Sequence, residues 1–295
     1  MPIINEFEYF KPATIAQTLK LLAKYPQSVI LAGGTDLLNL LKDGSLQPEA
    51  VIDIKGLASL RKITFAKGRL QVGSLVTFAE LIESKTVKRY FPLIVETART
   101  VASTGIRNRA TMAGNICSAV PCLDSGPLLL AYDAVVTAVG AAGKREIPIA
   151  KWFAGPRKTD LKHGEMVSGI AVPLPEAKHA GCFIKLGRYA GEDLAQASVL
   201  TMALAGNHFR IAFGSVGPVP SRADRIEALL SGKELDARLL AEAKGLVSSQ
   251  VSPITDIRST AEYRLHMCRV MLERALLASV ERLAGGGPRC GEKRL

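Results

Sequence analysis

The run Val29-Ile30-Leu31-Ala32 stops at Gly33-Gly34-Thr35-Asp36 and turns apolar again at Leu37-Leu38, a pattern that leaves the backbone few choices. Consecutive apolar residues predict a buried strand over 28–32, and the two glycines predict a tight turn that lets the backbone approach a neighbour closely. A short helix over 37–41 follows. Free N–H groups in a strand-to-helix turn suit an anion, and the Thr35 hydroxyl adds a further donor. A second stretch, Ala110-Thr111-Met112-Ala113-Gly114-Asn115-Ile116, has the same small-residue character. Neither fits the Walker pattern or the Rossmann fingerprint. Either turn alone is commonly just a turn, but two facing one another would hold the two phosphates of a dinucleotide. Asp124 is open to two readings: an acceptor for ribose or adenine, or an N-cap ahead of Pro127-Leu128-Leu129.

Helical spacing of Ile15, Leu19, Leu22 and Ala23 predicts a helix over 14–24. With a strand over 50–54 it gives a small β-α-β unit in the first ~55 residues. A hairpin over 63–72, helices over 77–83 and 92–101, a helix over 128–131 and strands over 134–139 and 146–149 follow. Residues 103–125 show no clear period and few charges, which predicts a long functional loop. Pro173 to Lys178 reads as a linker. Beyond it, strands over 182–186, 195–205 and 209–216 precede helices over 223–230, 236–250 and 259–284. The triple glycine Gly285-Gly286-Gly287 ends the last helix and leaves residues 286–295 as a frayed tail.

At 295 residues, 48% hydrophobic and 22% charged, the chain has material for about two cores and no signature of disorder. Five cysteines, Cys117, Cys122, Cys182, Cys268 and Cys290, contain no Cys-x-x-Cys pair, so neither a disulfide framework nor a metal site is expected. The opening MPIINEFEYFKP lacks the basic and then apolar order of an export signal, and the apolar run 127–143 is broken by Asp133, short of the ~20 residues of a membrane span. A cytoplasmic protein is expected. The net charge of +11 is scattered, concentrated only at Arg107 and Arg109 and in the tail Arg289, Lys293, Arg294, so a basic surface is expected rather than a nucleic-acid footprint.

The two turns, with Ser103-Thr104-Gly105-Ile106-Arg107-Asn108 ahead of the second, resemble the FAD-binding medium subunit of molybdenum hydroxylases, the group of xanthine dehydrogenase and CO dehydrogenase. The resemblance continues through Trp152 to Thr159, Phe183 to Arg188, Gly214 to Pro220 with Arg222-Ala223, and Asp256-Ile257-Arg258-Ser259-Thr260-Ala261-Glu262-Tyr263-Arg264. It implies an α+β fold: a two-lobed, vanillyl-alcohol-oxidase-like FAD domain over 1–175, divided near residue 55, then a small domain of antiparallel sheet and helices over 178–285.

By the same resemblance Ile30, Leu31, Ala32, Gly33, Gly34, Thr35, Asp36 and Leu37 with Thr111, Ala113, Gly114 and Asn115 would hold the FAD pyrophosphate. Asp124 would hold the adenosine part, while Val101, Thr104, Gly105, Val167 and Lys185 lie near the cofactor, Lys185 placing positive charge by the flavin. No catalytic acid or base and no metal ligand is expected on this chain. Electrons would come from [2Fe–2S] clusters on a small subunit, the substrate would react at a molybdenum-pterin large subunit, and NAD⁺ or another acceptor would take the electrons from FAD. The family's dimer of heterotrimers would be the assembly. Ala113 stands where the family usually has glycine, and Leu194 where the CO-oxidising branch has an aromatic residue over the flavin; the cysteines of an extra cluster-bearing insertion are missing. Two other readings are a self-sufficient flavin oxidase of the same fold, against which His163, His179, His208 and His266 all lie away from both turns in sequence, and an anion- or nucleic-acid-binding protein using the positive charge.

Overall fold

The computed structural model describes residues 3–189 and 193–289. The first lobe is a three-stranded parallel sheet in the order Glu8–Phe10, Ala50–Asp53, Val29–Leu31. Its central strand is buried throughout, as a parallel strand covered on both faces must be. The helix Ile15–Lys24 begins at Thr14, whose hydroxyl accepts from the Gln17 N–H, and the helix Leu37–Lys42 follows the glycine turn. The strand Glu8–Phe10 carries no sequence signal: it is short and mostly exposed.

The second lobe is an antiparallel sheet in the order Ile63–Ala66, Arg69–Gly73, Met166–Pro173, Val135–Gly140, Gly143–Pro148. Its first hairpin turns at Lys67 and Gly68, both at positive φ, the geometry that matches strand twist. Helices Phe78–Glu83, Lys85–Tyr90, Pro92–Arg99 and Ser125–Ala131 cover it. The expected loop over 103–125 is corrected: it contains two helices, Thr104–Arg107 and Met112–Ser118, too short to show a period.

The third sheet is antiparallel, in the order His179–Leu186, Ala197–Leu204, His208–Gly214, Ser221–Arg222. Alternation divides it between two cores. Phe183, Leu200, Met202 and Ala212 join the second lobe's core, whereas Cys182, Ile184, Val199 and Ile211 pack with the long helix Ala261–Ala284. Among the described residues no helix is long and apolar enough to cross a membrane.

A buried ion pair ties the C-terminal helix to the second lobe. Arg282 Nη1 lies 2.9 Å from Glu96 Oε2, and Glu96 Oε1 accepts the Phe183 N–H at 2.7 Å. Arg282 also donates to the carbonyls of Pro288 and Arg289, so the expected frayed tail is docked at its start; residues 290–295, with Cys290, Lys293 and Arg294, lie outside the described residues. Replacing Glu96 by alanine leaves the guanidinium buried without its carboxylate. The expected cost is about 3 kcal/mol of unfolding free energy, read by urea denaturation.

Candidate functional site

A cleft of about 860 Å³ runs between the two lobes and the third sheet. One wall is the first turn, Gly33 to Leu37; opposite it stand Thr111, Gly114, Asn115 and Ser118. The backbone N–H groups of Gly33, Gly34, Thr35, Asp36 and Leu37 donate no hydrogen bond among the described residues, and Leu38 is the first to join the helix ladder, donating to the Gly34 carbonyl at 3.0 Å. Unpaired N–H groups at a helix start facing a cleft are anion donors. A smaller chamber of about 350 Å³ shares Ile30, Ala32 and Gly114 with the cleft and adds Ala113 and Val167.

Steric fit fixes the first turn. A Cβ on Gly33 would stand 2.2 Å from the Arg109 carbonyl oxygen, so only glycine lets the two lobes close at this point. Gly34 follows at φ +81°, a conformation side chains rarely adopt. Asp36 Oδ2 accepts the Ser118 hydroxyl at 2.5 Å, joining turn to helix across the cleft. On the other wall Thr111 Oγ1 caps the Gly114 N–H at 2.9 Å, and the fully buried Trp152 donates Nε1–H to the Ile116 carbonyl at 2.9 Å, pinning the helix from beneath.

The two readings of Asp124 are separated by its partners. It makes no cap hydrogen bond. Asn115 Oδ1 takes that place, accepting from the Ser125 hydroxyl and, at 3.2 Å, from its N–H. Asp124 Oδ2 instead meets Lys185 Nζ at 2.8 Å, and Lys185 also donates to the Thr100 carbonyl at 3.0 Å. Both side chains are 9% exposed, and Asp124 Oδ1 is buried with no partner. Burial pushes the Asp124 carboxyl above the usual carboxylate range, and the Lys185 ammonium opposes this. Asp124, expected at the adenosine part, and Lys185, expected to place positive charge by the flavin, thus form one ion pair, and the lysine's charge is compensated.

Of the other expected residues, Val101 lines the cleft, while Ala113 and Val167 line only the smaller chamber. Leu31 points away, into the core with Leu41 and Val51. Thr104 and Gly105 do not line either space: the Thr104 hydroxyl accepts from Arg107 Nη2 at 2.9 Å, and the rest of that guanidinium is folded onto the Val101 and Ala102 carbonyls. Sequence reasoning passed over Ala102, Ile106, Ser118, Arg157 and Tyr189, which also line the cleft, and Leu194 stands exposed at its rim. Only folding brings His163 to the smaller chamber, where its Nε2 lies 3.3 Å from the Pro26 carbonyl.

Glu165, on the same wall, is gripped by Arg145 through Nε at 3.1 Å and Nη2 at 2.7 Å. That hydrogen bonding, chiefly, holds its carboxyl below the ordinary 4.5 against the effect of burial. A folded-state pKa below the unfolded one contributes stability that is present above about pH 4.5 and lost as pH falls through the folded value. The stability difference between wild type and Glu165→Gln is expected to shrink as a urea titration is repeated below that pH.

Five free N–H groups on one wall, a glycine approach that closes the lobes, an orphaned buried carboxylate oxygen and a volume in the ~300–1,000 Å³ range of ligand sites fit an extended dinucleotide with its pyrophosphate at Gly33 to Leu37. Fold and site together define a two-lobed α+β dinucleotide-binding flavoprotein. The family model for the FAD binding domain in molybdopterin dehydrogenase matches residues 5–175, and that for the CO dehydrogenase flavoprotein C-terminal domain matches residues 194–279. The chain belongs to this family, the FAD-binding subunits of molybdenum hydroxylase-type complexes. It is 34% identical over 287 residues to the putative xanthine dehydrogenase FAD-binding subunit of Escherichia coli (strain K12), covering 95% of this chain and 97% of that one. To the carbon monoxide dehydrogenase medium chain of Hydrogenophaga pseudoflava it is 30% identical over 282 residues, covering 94% and 98%. A solved carbon monoxide dehydrogenase from that organism superposes with a TM-score of 0.91 at 32% identity, over 96% of this chain and 99% of the other.

Proposed function

We propose that this chain carries electrons within a multi-subunit molybdenum hydroxylase, taking them from [2Fe–2S] clusters on a small subunit and passing them to NAD⁺ or another acceptor. The substrate would react on a molybdenum-pterin large subunit, with the whole a cytoplasmic dimer of heterotrimers. FAD, when bound, supplies the redox chemistry. The row of unpaired N–H groups from Gly33 to Leu37 is the observation that carries the reading, since it offers a dinucleotide's phosphates donors that the protein itself leaves unused.

The chain's own residues bind, orient and shield. Gly33 to Leu37 and Gly114 would hold the pyrophosphate, the Lys185–Asp124 end would border the isoalloxazine, and the narrower chamber with Ala113 and Val167 would take the adenine. Lys185, 2.8 Å from Asp124 Oδ2, would fix that carboxyl against the cleft wall. A division into residues 1–175 and 178–285 fits this arrangement, with Lys185 supplied from the C-terminal part. Among the described residues no group of three or more His, Cys, Asp or Glu is placed to hold a metal.

Affinity purification of the tagged chain from its source cells tests this. Two further subunits, one with iron and acid-labile sulfide and one with molybdenum, are expected to copurify. A chain recovered alone that oxidises a small substrate unaided would instead mark a self-sufficient oxidase.

A further inference from the structure

The segment Asp256 to Arg264 lies outside the cleft lining, yet its side chains converge on the supports of the Lys185–Asp124 pair. One carboxylate organises them. Asp256 Oδ2 lies 2.8 Å from Arg258 Nη2 and 3.1 Å from its Nε, and Asp256 Oδ1 lies 2.5 Å from Arg264 Nη2. Oδ1 also accepts the Arg258 N–H at 2.8 Å, which closes the turn. Both guanidiniums are thus held in fixed directions, as their planar forks allow.

Each braces one arm of the pair. Arg264, buried, donates Nη1 to the Gln196 carbonyl at 2.9 Å, and the Gln196 N–H donates to the Leu186 carbonyl at 2.8 Å, next to Lys185. The same Nη1 lies 3.5 Å from the Ser215 carbonyl, and the Ser215 N–H donates to the Pro121 carbonyl at 3.1 Å. Arg258 stands close enough to Cys122 for its positive charge to oppose the burial that pushes that thiol up. Pro121 and Cys122 open the turn that ends in Asp124. Lys185 and Asp124 therefore stand on two chain segments that Arg264 links through Gln196 and Ser215, in addition to their own ion pair.

We infer that Asp256 is a positioning residue for the flavin site, setting through Arg258 and Arg264 where the Lys185–Asp124 pair stands in the cleft. A site that binds a rigid ring needs its contacts held to a fraction of an ångström by side chains that are themselves held. The inference rests on the proposed FAD site.

Asp256→Asn keeps the shape and removes the charge that orients both forks. In the full-length chain stripped of FAD and titrated with FAD, the variant is expected to bind about tenfold more weakly, the size typical of losing an outer partner of a bound group. Its bound flavin is expected to show shifted visible bands and an altered reduction potential, with partial recovery in Asp256→Glu. Should Asp256→Asn not fold, Arg258→Lys keeps the charge, loses the fork, and decides by the same readouts. A variant whose thermal midpoint falls while FAD affinity, spectrum and potential match wild type would overturn the inference and leave Asp256 a structural residue. A folded wild type that takes up no FAD would refute the proposed function, and this inference with it.

Discussion

Gly33→Ala is expected to give a folded chain that loses most of its FAD. The added Cβ meets the Arg109 carbonyl oxygen at 2.2 Å and the carbon behind it at 2.8 Å, both backbone atoms that no side-chain rotation can move away. The turn must back off, which separates the row of N–H donors from the Thr111 wall. Overpacking of this kind costs about 1–3 kcal/mol of stability, within what a domain of this size survives. Every 1.4 kcal/mol lost from binding is tenfold in affinity, so a loss of at least about tenfold is expected, read by FAD titration alongside circular dichroism. Gly34→Val, at φ +81°, should behave similarly by strain rather than collision. Wild-type affinity in Gly33→Ala would show that the turn does not hold the cofactor.

Lys185→Met is expected to be the most destabilising single change in the site. It leaves the Asp124 carboxylate 9% exposed with neither oxygen paired, a case that typically costs about 3–5 kcal/mol. Replacing both members, Lys185→Met with Asp124→Leu, removes the orphan and should recover most of that loss in urea denaturation while FAD binding stays impaired. That split separates what the pair does for the fold from what it does for the cofactor. Equal destabilisation of the single and double variants would mean that the two side chains do not act as a pair.

Much of this was readable from the chain, for stated reasons. The strand, turn and helix around Gly33 were legible because apolar run, double glycine and renewed apolar residues are all local signals. Thr14, Thr77 and Lys67-Gly68 likewise announce their own caps and turn, and Thr77 closes a capping box with Glu80. What escaped was either too short to have a period or made at a distance. The helices Thr104–Arg107 and Met112–Ser118 span about one or two turns, and the edge strand Glu8–Phe10 has three residues. Asp124 meets Lys185 across 61 residues and Asp36 meets Ser118 across 82, contacts that only the packed lobes create. Lys185 could be named by resemblance, yet its compensated charge could not, because burial and partner are properties of the fold. Ala113, the visible departure from the family pattern, is buried in the core and opens on the smaller chamber.

The most direct test of the central claim is a titration of the refolded, flavin-free full-length chain with FAD, followed by flavin fluorescence and visible absorption. One FAD per chain, with perturbed flavin bands, is the expected result. A chain that is folded by circular dichroism and binds no FAD would contradict it.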